Sequence, residues 1–365
     1  MSKFHVESVS SRESLHQLAD EWNSLLARSR ANSIFLRFEW IATWLEKNIC
    51  ELAVLLVRDQ QNRLVGVAPF YRSRLQFRVP LRYRCLRPLG DSESGAEYQM
   101  PFFASETETG ALAALTDYLS STRVEWDLIY MGNLAAWTEA GSQLVKAFKD
   151  SPLPCESRPN SFSQIALPTS TDEFWQQQSR TQRYAVNRAR RKLADQTVEI
   201  TRCASQAELP LYTDALLALH EIRWRSVGEA GAFERRPAFR AFLLDFLPVA
   251  LDSGWLRLHI LKVDNKARAV QLGFVYNGTY SVIQEGFDVG FQPGIGNLLR
   301  ASVIEECIAE GIRVYDFLGG LSEHKRRWGA VEKAGADLIV WNANPRNLIF
   351  KLGPFWPSGR FFREL

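Results

Sequence analysis

Between a predicted strand, Thr279 to Phe287, and a predicted helix, Leu298 to Ala309, the chain reads Gln292-Pro293-Gly294-Ile295-Gly296-Asn297. Two glycines at a strand-to-helix turn let the backbone approach a ligand closely. The helix head adds unpaired amides and a positive dipole end, a combination suited to phosphate oxygens. A plain tight turn is the other reading. No Gly-Lys-Ser/Thr follows, so this is not a Walker loop, and a third glycine is missing, so it is not a dinucleotide fingerprint.

Outward from the turn, the pattern is a sheet. Leu256 to Val263, a turn at Asp264-Asn265, and Ala269 to Tyr276 precede it, and Asn277-Gly278 is a tight-hairpin signal. Downstream, the helix stops at Gly311, followed by strands Val314 to Leu318 and Asp337 to Trp341. Upstream lie helices at Phe239 to Leu251 and Leu209 to Trp224, and one long helix from Thr171 to Leu193. The order predicts a mixed α/β (α+β) domain.

The first part of the chain reads as helix, helix, strands. Leu15, Leu18, Trp22, Leu25 and Leu26 recur at helical spacing, and Phe38 to Glu46 gives a second helix. Ala53 to Val57 and Leu64 to Phe70 are strand-like, Ala111 to Leu119 helical, and Trp126 to Met131 a buried strand. Ser151 to Asn160 holds three prolines and no periodicity, which sets the expected domain boundary at 160/161. Ala53 to Tyr71 can be laid on Leu258 to Tyr276 without a gap, pairing Asp59 with Asp264 and Tyr71 with Tyr276. This is either a duplicated domain or a chance match of two hairpins.

With 365 residues, two domains are the default. A formal net charge of +3 is too small to argue for nucleic acid by bulk charge. Five scattered cysteines without a CxxC pair suit free thiols rather than a metal or redox motif. No apolar secretory stretch opens the sequence and no run approaches a membrane span, so the expectation is a cytoplasmic protein without a transmembrane segment.

Three carboxylates fall near the glycine turn. Glu285 ends the preceding strand, Asp288 follows it, and Asp316 lies in the next strand. Glu285 and Asp316 are candidate general bases, because partial burial would raise their pKa. His324 is a candidate proton shuttle, and Lys325 a candidate for binding an anion or developing oxyanion. The stretch Arg180 to Lys192 carries six basic residues and no acids, with Arg183, Asn187 and Arg191 on one helical face. It would hold an anionic substrate or be a solvated face. Arg223-Trp224 would line a cleft or merely pack.

The ordered set of segments resembles the CelD/BcsL-type, BioF2-like acyltransferases of the GNAT superfamily, relatives of the FemAB-type aminoacyl transferases. The matching pieces are the basic helix, Arg223-Trp224 with Gly228, Gly286-Phe287-Asp288, Phe291, Gly296-Asn297-Leu298-Leu299, Gly311, Tyr315-Asp316-Phe317-Leu318, Gly320, and Lys325 with Trp328. Phe291 stands where the usual cofactor motif has Arg or Gln, and His324 where Tyr is common. The resemblance implies two tandem GNAT-like domains, 1–160 without an evident cofactor turn and 161–365 as the acyltransferase domain, with mostly antiparallel sheets flanked by helices. It implies acetyl-CoA or another acyl-CoA as co-substrate, held by Gln292, Gly294, Ile295, Gly296, Asn297 and Leu298, with no metal. Glu285 or Asp316 would deprotonate the acceptor, with His324 and Lys325 beside the transfer site. Arg183, Asn187, Arg191, Arg223, Trp224 and Asp288 would bind a sugar-linked or amino-acid-like acceptor in exopolysaccharide or cell-envelope synthesis, possible contact with that machinery included. The alternatives are an aminoacyl-tRNA-dependent transferase and a non-catalytic GNAT scaffold.

Overall fold

The computed structural model describes residues 3–76, 82–91, 93–122 and 125–342. The chain divides into two compact units, one of Met1–Asn160 with the segment from Ala334, the other of Ser161–Lys333. Each unit combines helices with a mixed sheet, as the patterning predicts.

In the first unit, strand Phe4–Val9 pairs antiparallel with Val54–Asp59, which pairs with Leu64–Ala68. Helices Ala19–Ala27 and Phe38–Lys47 bury Trp22, Leu25, Leu26, Trp40, Ile41 and Trp44. The buried set repeats at three and four, and each such side chain contributes about 1.5–3 kcal/mol by leaving water. Phe70–Gln76 pairs with Arg82–Pro88, which runs parallel to Leu128–Leu134. Residues 336–341 of strand Val331–Trp341 pair on the far side of Leu128–Leu134.

In the second unit, Val198–Arg202, Leu256–Val263, Lys266–Tyr276 and Thr279–Phe287 pair antiparallel in that order. Val314–Gly319 joins parallel to Thr279–Phe287, and residues 162–166 of strand Cys155–Ala166 pair antiparallel with it. Both hairpin turns use left-handed residues as their sequences predict, Asp264-Asn265 (φ 49° and 62°) and Asn277-Gly278 (φ 47° and 72°). Helix Ile295–Ala309 packs Leu298, Leu299, Val303 and Ile304 into a core with Phe174, Tyr280, Tyr315 and Trp328.

Three expectations change. The long helix over Thr171 to Leu193 is two helices, Thr171–Gln177 and Arg180–Lys192, because Gln178 is extended and the Ser179 side chain caps the second by accepting from Gln182 N. The proline-rich Ser151 to Asn160 is not all loop: residues 155–160 already belong to strand Cys155–Ala166. The helix after the glycine turn begins at Ile295, a turn earlier than periodicity suggests, because Gly294 at φ +92° ends the preceding loop.

Candidate active site

The parallel pairing of Thr279–Phe287 with Val314–Gly319 covers Thr279–Ser281 against Val314–Asp316. Past that point Gln271, Val270 and Ala269 of the neighbouring strand face Glu285, Gly286 and Phe287. The second strand bends instead, with Leu318 at φ 59°. Asp316 holds that bend, its Oδ1 accepting from Leu318 N at 2.8 Å. Beside the far half of Thr279–Phe287 lies a cleft of about 310 Å³. Its walls include Arg223, Gln271, Glu285, Phe287, Gly294, Gly296, Asn297, Arg300, Ser322 and His324.

The glycine turn forms one wall. Gly294 is the N-cap, and a Cβ there would sit 3.3 Å from the Ala189 Cβ. Gln292 Nε2 donates to the Ala189 carbonyl at 3.1 Å, which ties the turn to helix Arg180–Lys192. A Cβ on Gly296 would come within 2.8 Å of the Phe287 ring, so the glycine lets helix and strand close on each other. Leu298 N donates to Gly294 O at 3.0 Å. The amides of Gly296 and Asn297 precede this first helical bond and have no intrahelical acceptor. Ile295 and Leu298 bury their side chains in the core and meet the turn by backbone only.

A buried ionic cluster forms the floor. Arg300, 3% exposed, donates through Nη2 to both carboxylate oxygens of Glu285 and through Nη1 to His324 Nε2 at 2.7 Å. Its guanidinium lies 5.5 Å from the centroids of both Phe317 and Trp328. Arg223 Nη1 approaches Glu285 Oε2 at 3.9 Å and its backbone carbonyl at 3.4 Å. A guanidinium only donates, so His324 Nε2 must accept and the ring is neutral. Desolvation, then the Arg300 charge, push the His324 pKa down to about 4. Burial acts to raise the Glu285 pKa, but the Arg300 charge and hydrogen bonds outweigh it, and the carboxyl titrates below its usual range. The expected upward shift is therefore reversed: Glu285 stays ionised. Two buried polar atoms of the floor, Gln271 Oε1 and Arg300 Nε, have no hydrogen-bond partner among the described residues.

Of the sequence candidates, the cleft gathers Glu285, His324, Gly294, Gly296, Asn297 and Arg223. The others lie elsewhere. Asp316 is 1% exposed and spends its carboxylate on Leu318 N and on Gln164 Nε2 at 2.9 Å. Lys325 Nζ donates to the carbonyls of Phe317 (3.0 Å), Gly319 and Gly320 (2.8 Å), stapling the loop that leaves the strand. Asp288 pairs with Arg268 at 2.6 Å and accepts from Gly290 N. Trp224 stacks with His220 and lies under Arg223. Arg183, Asn187 and Arg191 are exposed, on the side of their helix away from buried Gln182, Val186 and Ala189. Arg300 and Gln271 were missed. The available signal was a single cation in the apolar run of residues 298–304.

Among the described residues, no cluster of three or more His, Cys, Asp or Glu is placed to hold a metal ion, and no helix is long and apolar enough to cross a membrane. Residues 180–326 match the family model described as an acetyltransferase (GNAT) domain. Among solved structures, FemX shares the fold at 10% identity with a TM-score of 0.64, over 95% of this chain and 99% of that one. A protein of unknown function from Bacteroides thetaiotaomicron does so at 12% identity and a TM-score of 0.55, over 92% and 99%. A search of curated proteins gave no match. Every residue lining the cleft falls within residues 180–326, so the cleft belongs to a GNAT acetyltransferase domain.

Proposed function

We propose that the Ser161–Lys333 unit transfers an acyl group directly from acetyl-CoA or another acyl-CoA to an amine or hydroxyl of a sugar-derived or amino-acid-like acceptor. The observation that carries this reading is the parting of two parallel strands beside a cleft headed by helix amides. The residues present fit the donor: Gly296 and Asn297 offer free amides for its diphosphate, and Gly294 and Gly296 keep that approach clear of Cβ atoms. The acceptor's lone pair adds to the thioester carbonyl, the C–S bond breaks, and the electron pair leaves with sulfur. Glu285, ionised at neutral pH, takes the proton the acceptor loses. Arg300 and Arg223 fix that carboxylate and stabilise negative charge developing on the acyl oxygen. Asp316 and Lys325 act on the loop beside the cleft rather than on substrate.

Calorimetric titration with acetyl-CoA tests the reading. Wild type should bind, and Gly296→Trp, whose side chain must displace the Phe287 ring, should lose at least about tenfold in affinity. Absence of binding by the wild type would remove acyl-CoA as donor. One observation favours a second donor, aminoacyl-tRNA: the exposed cations of helix Arg180–Lys192 stand directly behind the glycine turn, joined to it by the Gln292–Ala189 bond. That reading requires RNA affinity that falls steeply with salt.

A further inference from the structure

We infer that Arg223 reads a carboxylate on one of the two substrates, making the transferase specific for an acidic acceptor or an acidic acyl group; this rests on the transfer reading above. The ionised groups lining the cleft are Arg223, Arg300 and Glu285, two cations against one anion, with His324 neutral. Arg300 is spent on Glu285 and His324. Arg223 is not: its closest polar contacts are the 3.4 Å carbonyl and the 3.9 Å carboxylate of Glu285, and that carboxylate already serves Arg300.

The Arg223 guanidinium is held ready in other ways. It lies 5.1 Å from the Phe287 ring centroid and 5.5 Å from that of Trp224, and 30% of its side chain is exposed. Aromatic walls fix the plane of the guanidinium while leaving N–H donors open to the cleft. Desolvation, outweighing the nearby Glu285, lowers its pKa, the sign of a cation short of counter-charge. A planar fork in this state pairs best with a planar, two-oxygen anion. The donor's diphosphate has its own place at the amides of Gly296 and Asn297, whereas Arg223 ends a separate helix, Leu209–Arg225. The carboxylate therefore belongs to the reacting end of a substrate. Gln271 Oε1, buried on the floor without a partner, supplies an acceptor for a substrate N–H or O–H nearby.

Nuclear magnetic resonance titration of the full chain, observed at the Arg223 Nε–H and assigned with Arg223→Lys, takes two ligand pairs. One is N-acetylglycine against N-acetylglycinamide, the other succinyl-CoA against acetyl-CoA. If the acceptor carries the carboxylate, N-acetylglycine shifts the Arg223 signal saturably and binds at least about tenfold tighter than the amide. If the acyl group carries it, succinyl-CoA shows that preference over acetyl-CoA. Arg223→Met, with its amide spectrum otherwise matching wild type, abolishes the preference in whichever pair shows it, and Arg223→Lys keeps part of it. No preference in either pair, or one that survives Arg223→Met, overturns the inference. If both thioesters fail to bind, the acyl-CoA donor falls, and the N-acetylglycine pair alone decides the carboxylate.

Discussion

The two units follow the same path and part at one point. Each lays down a strand, then helices, then a hairpin whose first strand pairs back on the opening one: Phe4–Val9 with Val54–Asp59, and Val198–Arg202 with Leu256–Val263. In the second unit the next strand, Thr279–Phe287, pairs along nearly all of the hairpin and leads into the glycine turn. In the first, Leu64–Ala68 meets only the two-residue strand Phe102–Phe103. The repeat is one of topology and not of register. Asp59 closes its own loop by accepting from Gln61 N and Arg63 N, whereas Asp264 is the first residue of a two-residue left-handed turn. A duplicated scaffold thus carries a ligand-type edge in one copy only.

Both units also bury an arginine–carboxylate pair, and the pairs differ in what surrounds them. Arg87 and Asp91 are 9% and 14% exposed, Arg300 and Glu285 4% and 17%. For Asp91, burial outweighs Arg87 and the carboxyl pKa is raised; for Glu285, Arg300 wins and it is lowered. Asp91 can protonate when its partner is removed, and Tyr71 O–H, at 2.9 Å, still donates to it. Glu285 lacks such a neutral donor. Arg300→Met should therefore cost about 3–5 kcal/mol in urea unfolding at pH 7, and Arg87→Met clearly less. The sign with pH follows from the lowered Glu285 pKa: its contribution is present above the carboxylate's unfolded value and is lost as acid protonates it in the fold. The gap between wild type and Arg300→Met should close on acidification. Equal losses for the two variants would break the contrast between the pairs.

Much of the second unit was legible because turns have local chemistry. Asp264-Asn265, Asn277-Gly278 and Gly294 specify backbone conformations that few other residues accept, and they fix where strands and helix begin. Glu285 was legible as a carboxylate at a strand end beside such a turn. Its protonation state was not, because that is set by Arg300, fifteen residues away and visible only once the helix folds back. Asp316 and Lys325 have the same residue types as working catalytic groups. Only the fold reveals that their capacity is already consumed by Leu318 N, Gln164 and three carbonyls. The basic helix was read correctly as amphipathic, but its cations face away from the buried side, and no local rule says what they face.

Two strand glycines sharpen the comparison further. A Cβ on Gly286 would lie 2.4 Å from His220 N and 2.6 Å from Leu219 C, both backbone of helix Leu209–Arg225. A Cβ on Gly66 would lie 2.4 Å from a side-chain atom of Phe103. A ring can rotate away, whereas a helix backbone must be pushed off the sheet. Gly286→Ala should lose about 3 kcal/mol, the upper end for overpacking, and Gly66→Ala a smaller amount. Matching shifts in thermal midpoint for the two would show that the helix in the second unit yields as easily as a ring.

The smallest effect expected is carried by His220, packed 4.5 Å from the Phe233 ring centroid and 2% exposed. Desolvation, then the Arg223 charge, lower its pKa to about 4 from an ordinary 6.5. The unfolded chain binds a proton as pH falls below 6.5, and the folded chain does not until near 4, so stability must decline across that window. The loss should be on the order of 2 kcal/mol. His324 titrates in the same direction but stands at the solvent edge of the cleft, where screening weakens its share. Urea midpoints measured from pH 7 to pH 4 should therefore flatten more in His220→Gln than in His324→Gln. The reverse order would mean that the cleft-edge histidine is more firmly desolvated than the core one, and that the Arg300 cluster closes more tightly around it than its exposure indicates.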